Sequence, residues 1–419
     1  MRRAIPLLLL FILLAPLCPA QSVTANAATG PQLSAFRVAL ANCRHQVVST
    51  NVYADSRSIN TLANTNTVGF PTLPNIWPRL LRSKFLSLGC PSHGTGIVPF
   101  ISRAGSATLN ADYYATSGTI VLDQSTGPYQ GADVPSAGSI GAGAGAVVAF
   151  DATSSGIEWD HLNVYCLAGP DIHAWNVSID GLTVGTCGGS APGTRAALAG
   201  FAAPGGLGLH PNTRLTCSAN PCGGYGVQGT AGTVGIEINN LAVGSTTAEW
   251  WGLNPPAQFA YVDLLPGGHQ LDLIMEITNE PGVHYSPASF LSSLTNIIDH
   301  DRALASGAPS VLLIAPMQDG IANQGAYYPV IRAAAAARNG AYVDMRDQMG
   351  AAQILRLYVN EGGNYFHENT EGNAVEAQII AAALLGPRAQ RQLHGPPATR
   401  PAAPGLTKDT VAPVSAGVP

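Results

Sequence analysis

Ser56, Asn279 and His367 are the residues whose types and settings can do chemistry together. A serine hydroxyl is a weak nucleophile until a neighbouring base takes its proton. An imidazole titrates near neutrality and can both take that proton and return it. An amide such as Asn279 can donate to a developing negative charge without carrying net charge into a pocket, which is what an oxyanion hole requires. Acyl transfer through a covalent intermediate is the chemistry of such a set. Each residue also has an ordinary reading. Ser56, in Ala54-Asp55-Ser56, can simply cap a helix, Asn279 sits in Asn-Glu-Pro, which is good turn chemistry, and His367 is one of ten histidines.

The elements that would position these residues follow from periodicity. An apolar helical stretch spans 33–41, a strand 47–53, and a helix 77–86 whose Leu80, Leu81 and Phe85 can face a sheet. Between 118 and 235 the pattern changes to short period-two runs at 147–150, 162–166, 175–179, 182–184, 214–217 and 235–238, separated by Gly, Pro, Asn and Asp. Asp180-Gly181 supplies a hairpin turn. Such spacing predicts an inserted β-sandwich of roughly a hundred residues. Strands at 271–277, 310–315 and 341–344 then alternate with helices at 288–306, 326–338 and 373–385, with Gly307 and Gly340 placed to stop helices. Alternation of this kind builds a parallel sheet covered by helices on both faces. In such folds reactive groups gather beyond the carboxyl ends of the strands. Ser56 follows the first strand, Asn279 a later one, and His367 precedes the last helix. Residues 387–419 are Pro-, Ala- and Gly-rich without periodicity and read as a disordered tail.

Composition excludes several classes. The chain has 419 residues, 46% of them apolar and only 11% charged, with a net charge of -5. Without residues 1–20 the balance is 18 basic against 25 acidic residues, so a nucleic-acid footprint is absent. Arg2, Arg3, the apolar run 5–17 and Ala20 read as a signal peptide over 1–20, and no other segment is long enough to cross a bilayer. A secreted or periplasmic protein is expected. Cys43, Cys90, Cys166, Cys187, Cys217 and Cys222 then remain, an even number that suits an oxidising compartment. Six thiols allow fifteen pairings; proximity along the chain suggests Cys43 with Cys90, Cys166 with Cys187 and Cys217 with Cys222, while free buried thiols are the alternative. Nothing calls for a metal or cofactor: no CxxC is present, and His161, His173 and His210 are scattered. Trp159, Trp175 and Tyr165 either fill the core of the insert or stack on sugar rings. Trp250 and Trp251 either wall a pocket or pack a helix.

Taken in order, Ala54-Asp55-Ser56, Gly244 in Asn240-Leu241-Ala242-Val243-Gly244-Ser245, Ile277-Thr278-Asn279-Glu280 and Asn364-Tyr365-Phe366-His367 resemble the four blocks of the SGNH, or GDSL-type, hydrolases. In that family the blocks are Gly-Asp-Ser, a glycine, Gly-x-Asn-Asp and Asp-x-x-His. The resemblance covers 33–115 and 236–386, interrupted by the insert at 118–235. It implies an α/β fold, a three-layer parallel-sheet, flavodoxin-like domain carrying an inserted β-sandwich. It also implies Ser56 as nucleophile, His367 as base, and an oxyanion hole made by the N–H groups of Ser56 and Gly244 and the side chain of Asn279. Ala54, Ile277, Glu280 and Asn364 depart from the pattern. Asn364 can orient the imidazole but cannot stabilise imidazolium by charge; a backbone carbonyl, Glu361 or Glu368 can hold the ring instead. The implied activity is hydrolysis of acyl esters, acetyl esters of a carbohydrate among them, on a small-molecule or glycan partner. An acyltransferase would use the same residues, and a glycan-binding protein that has lost catalysis would keep the same scaffold.

Overall fold

Short, mostly aliphatic runs build a parallel sheet at the centre of the molecule. A computed structural model describes residues 30–58, 75–103, 108–109, 113–122, 140–153, 156–193, 195–244, 246–252, 262–265, 268–281, 285–304, 308–317, 324–348, 358–361 and 364–393. Residues 1–20, which read as a signal peptide, Gly307, and residues 394–419 of the stretch that reads as a tail lie outside the described residues. The sheet contains β1 (Val47–Ala54), β2 (Gly235–Asn240), β3 (Leu271–Met275), β4 (Ser310–Ala315) and β5 (Ala341–Asp344), in the order 2-1-3-4-5 with every neighbouring pair parallel. The helices are α1 (Ser34–Ala41), α2 (Trp77–Ser87), α3 (Ala248–Gly252), α4 (Pro287–Leu304), α5 (Tyr328–Ala337) and α6 (Thr370–Leu393).

Side-chain alternation along the strands decides which helices cover which face. Val48, Val52, Leu273, Met275, Leu312, Ile314 and Val343 meet Phe36 of α1, Leu81 and Phe85 of α2 and Ile380 of α6 in one core. Their neighbours Tyr53, Ile274, Leu313 and Tyr342 meet Trp251 of α3, Phe290 and Leu294 of α4 and Ile331 of α5 in a second core. Two separate cores on one sheet make three layers.

Between β1 and β2 the described chain forms an antiparallel sheet of five strands, one of six, and a two-stranded ribbon of Ile101–Arg103 with Thr108–Leu109. Phe150, Trp175 and Leu215 from the first and Val98, Val164 and Val227 from the second share one apolar cluster. Trp159, Trp175 and Tyr165 are all buried, so they pack cores and present no stacking face. Asp180 and Gly181 both have positive φ (52° and 82°), as a tight hairpin turn needs.

Strand pairing differs from expectation in several places. Gly94–Pro99 pairs with Cys222–Thr230, and Tyr114–Ser117 with Val147–Phe150, so these segments join the antiparallel sheets although 33–115 reads as α/β sequence. Gly235–Asn240, grouped by its alternation with the insert, is instead the edge strand of the parallel sheet. The left-handed residue after α5 is Asn339 (φ 48°), one position before Gly340. Helical backbone resumes after a break at Gly386 (φ 72°, ψ 178°) and reaches Leu393, inside the segment that reads as tail.

Three disulfides, Cys43–Cys90, Cys166–Cys187 and Cys217–Cys222, have Cα separations of 5.4, 6.0 and 5.6 Å. They are the pairs that proximity suggests. The first closes 47 residues and ties the end of α1 to the segment after α2, whereas the last closes only 5. Loop-closure entropy then ranks them: Cys43→Ala/Cys90→Ala should cost about 4 kcal/mol and Cys217→Ala/Cys222→Ala about 2 kcal/mol. Urea unfolding of the two double variants checks the order, and a larger loss from the shorter loop would contradict it.

Candidate active site

A 2-1-3-4-5 order reverses direction between β1 and β3, and the crevice outside the carboxyl ends of those two strands is where doubly wound sheets bind ligands. Asp55-Ser56 leaves β1 there, and Thr278-Asn279 follows β3. The residues around them are joined by buried hydrogen bonds. Asp55 is fully buried; its Oδ1 accepts the N–H of Arg57 at 2.9 Å and its Oδ2 that of Thr278 at 3.2 Å, so one carboxylate holds both loops. Ser56–Ser58 forms a 3-10 turn. Asn240 Nδ2 donates to Ser58 O at 2.7 Å and Trp77 Nε1 to Ser58 Oγ at 2.8 Å, bracing that turn from β2 and α2.

The remaining blocks arrive at the same edge. The segment after β2 continues beside β1, with Leu241 N donating to Val52 O and Val243 N to Ala54 O, each at 3.1 Å. That places buried Gly244 next to the end of β1. Asn279 Nδ2 donates to Thr246 O at 2.7 Å, which uses one of its two amide hydrogens. Glu280 Oε1 accepts the N–H of Ala248, the first residue of α3, at 2.8 Å. His367 lies on the short strand Asn364–Glu368, opposite Val359 of Tyr358–Glu361, and this strand packs against the Ser56–Ser58 turn. The backbone at Ser56 and Asn364 is described, whereas their side chains, and that of Glu361, lie outside the described residues.

The link between the turn and the strand is Arg57. Only 3% exposed, it donates through Nε to Thr278 Oγ1 at 2.6 Å and through Nη1 to Glu368 Oε1 in a buried ion pair. Glu368 is therefore committed to Arg57 through Oε1, and its Oε2 has no hydrogen-bond partner among the described residues. His367 itself is half-buried. Asn373 Nδ2 donates to Glu368 O at 3.2 Å, and its Oδ1 accepts the N–H of Trp77 at 2.9 Å, which ties the strand to α2 as well.

Beneath the loops lies a layer of acids. Asp55, Glu276, Glu280, Glu368 and Glu376 are all at most 2% exposed, with Arg57 as the cation paired among them. Burial pushes Glu280 up to about 8, with Asp55 adding to the rise and the Ala248 N–H opposing it. Burial, then Asp55 and Glu280, hold Glu276 well above the carboxylate range, and burial with Glu368 does the same to Glu376. Burial also raises Glu368 in spite of Arg57. A folded acid with a raised pKa keeps its proton while the unfolded chain has lost it, so stability falls as pH climbs from the unfolded value near 4.5 to the folded one. Glu280→Gln preserves an acceptor for Ala248 and removes that penalty. Its unfolding midpoint should exceed wild type at pH 8 and match it at pH 5, which urea titrations at the two values would measure.

Sequence reasoning missed Arg57, Thr278 and the acid layer as bracing elements. The Asp55-Ser56-Arg57 and His367-Glu368 neighbourhoods were the available signal. It also passed over a buried group of His269, Asp272 and Asp301 at the other end of β3.

No family model matches the sequence, and no curated protein does. Among solved structures, a peptidoglycan O-acetylesterase superposes with a TM-score of 0.63 at 15% identity, covering 87% of this chain and 97% of its own. A salicylyl-acyltransferase from a tetracycline biosynthetic pathway gives 0.31 at 14% identity over 67% of this chain and 98% of its own. A catalytic mutant of an acetylxylan esterase from Geobacillus stearothermophilus gives 0.29 at 13% identity over 36% and 73%. The likeness to the first is one of fold across both the parallel sheet and the β-rich insert. The resemblance to SGNH-type hydrolases holds at that level.

Proposed function

We propose that this protein is an exported serine esterase of the SGNH type that removes acyl groups, acetyl foremost, from a carbohydrate. The observation that carries the reading is the meeting of four chain segments at one sheet edge: the loops after β1, β2 and β3, and the strand bearing His367, fastened to the Ser56 turn through Arg57 and Glu368. In this reading His367 takes the proton of Ser56 as its oxygen attacks the ester carbonyl, and Asn364 orients the ring. The N–H groups of Ser56 and Gly244 and the second amide hydrogen of Asn279 hold the tetrahedral oxyanion. The imidazolium then protonates the departing sugar alcohol. Water, deprotonated by the same imidazole, hydrolyses the acyl-enzyme and frees the acid.

A carbohydrate ester is supported by the insert as well as by the shared fold with a peptidoglycan O-acetylesterase. Tyr165, Leu167 and Tyr225 of the insert join Val243, Ile277 and Trp251 in one apolar cluster, so the insert stands beside the loops of the site, where an extended substrate would run. The signal segment and three disulfides favour an oxidising compartment. No described helix is long and apolar enough to cross a membrane.

The test is covalent. A fluorophosphonate should block p-nitrophenyl acetate hydrolysis by the mature protein and leave its adduct on the peptide containing Ser56. Turnover with an adduct on another residue would move the site, and glycan binding with no turnover at all would make the protein a lectin-like scaffold.

A further inference from the structure

His269, Asp272 and Asp301 meet between the amino end of β3 and α4, at the end of the strand opposite to the loops described above. His269 Nε2 is 2.9 Å from Asp272 Oδ1 and 3.6 Å from Asp301 Oδ2, and one donor atom from each residue lies within 4.8 Å of the others. His269 is 8% exposed and both aspartates are fully buried. The cluster is buried and short of hydrogen bonds. Among the described residues, neither oxygen of Asp272, nor Asp301 Oδ2, nor His269 Nε2 makes a hydrogen bond of good geometry, so what joins the three groups is their ion-pair contacts. Since a 2.9 Å separation suffices for a bond along the N–H axis, the ring axis must pass beside Asp272 Oδ1.

That geometry suits an ion better than a proton. Ligand atoms at about 2.0–2.2 Å from a divalent metal stand roughly 3–3.5 Å from one another, and the imidazole stands close to that range from the two carboxylates, at 2.9 and 3.6 Å. Two carboxylates with a neutral imidazole carry a charge of about -2, which a divalent ion cancels. An imidazolium would cancel half of it and leave buried oxygens without donors. The surroundings are built to hold the three groups still. Tyr53 OH donates to Asp301 Oδ1 at 3.0 Å, which leaves Oδ2 turned to the cluster, as outer-shell partners of metal ligands do. Gln270, between His269 and β3, donates its N–H to Ser49 O at 2.9 Å, accepts the N–H of Ser310 at 3.0 Å, and accepts the N–H of Ser49 through Oε1 at 2.7 Å. His269 is thereby fixed to both strands that flank β3.

We propose that His269 Nε2, Asp272 and Asp301 Oδ2 bind a divalent transition-metal ion, of the Zn²⁺ or Mn²⁺ class, that fastens β3 to α4. One imidazole and two carboxylates form the mixed N/O donor set these ions accept. The site is structural, because its members are buried away from the candidate active-site edge, and it does not depend on the esterase reading.

The mature protein, purified without chelator from medium containing zinc and manganese, should carry about one equivalent of one of them by elemental analysis. Dialysis against EDTA should lower the thermal midpoint by several degrees, and ZnCl₂ or MnCl₂ should restore it. Co²⁺ added to the stripped protein should give ligand-field absorption. Asp272→Asn should abolish the thermal response to added metal, whereas Glu280→Gln, remote from the cluster, should retain it. Metal content below about 0.1 equivalent together with no midpoint shift from either salt would overturn the proposal. So would an Asp272→Asn protein that responds as wild type does. If Asp272→Asn does not fold, the wild-type metal content and chelation shift decide the matter.

Discussion

Ser56→Ala should lower kcat/KM for p-nitrophenyl acetate by at least about 10³-fold; removal of the nucleophile from a full serine triad costs about 10⁶-fold, with only the oxyanion donors and binding left to act. The chemistry goes because, among the described residues that follow β1, the other hydroxyl, Ser58, is engaged with Trp77, and its carbonyl with Asn240. The fold should stay, since the bracing of the turn runs through Asp55, Arg57 and Ser58. Thermal midpoints of the two proteins should therefore agree to within about 0.5 kcal/mol of stability. Equal hydrolysis rates would end the claim that Ser56 is the nucleophile. Substrate binding that survives the substitution would be consistent with it, because the donors that position the carbonyl are untouched.

The parallel sheet was legible because β1, β3, β4 and β5 are short aliphatic runs punctuated by turn residues, and because helical periodicity separates them. The insert was only half legible. Cys222–Thr230 is the central strand of its larger sheet, yet it reads Cys-Gly-Gly-Tyr-Gly-Val-Gln-Gly-Thr, and the glycines hide it. They are there for contact: a Cβ at Gly226 would stand 2.4 Å from Val98 O of the adjoining strand. Gly96 reads as a loop residue for the same reason, having φ of 68° and the carbonyl of Ile238 2.0 Å from where a Cβ would be. Arg195–Ala202 is Ala-rich enough to suggest a helix, but its pairing with His161–Ala168 across eight registers overrides that preference. At the candidate site, strand ends and a helix start are what single out Ser56, Asn279 and His367 in the sequence. Arg57 and Glu368 could not, since a contact across 311 residues leaves no period in the sequence. The three disulfides were within reach because each joins consecutive cysteines.

Arg57→Met is expected to be the most destabilising single change in the α/β part of the chain, by about 3–5 kcal/mol, because it leaves a buried carboxylate with no counter-charge. Glu368 loses its ion-pair partner, Thr278 Oγ1 loses its donor, and the acids Asp55 and Glu376 lose a cation that both of their surroundings share. Protonating Glu368 relieves part of this. With the guanidinium gone, its folded pKa rises further above the unfolded value, so the loss should deepen as pH climbs above about 4.5 and be smaller at pH 5 than at pH 8. Arg57→Met/Glu368→Gln should recover much of the stability, since the double variant buries no charge at either position and a contacting pair is not additive. Activity separates bracing from bulk stability. If the pair positions the strand that bears His367 against the Ser56 turn, kcat in the double variant should remain well below wild type at a temperature where both are fully folded, with KM little changed. A double variant with wild-type kcat would show that backbone packing alone sets the distance between the two elements, and an Arg57→Met protein as stable as wild type at pH 8 would show that Glu368 carries no charge in the folded state.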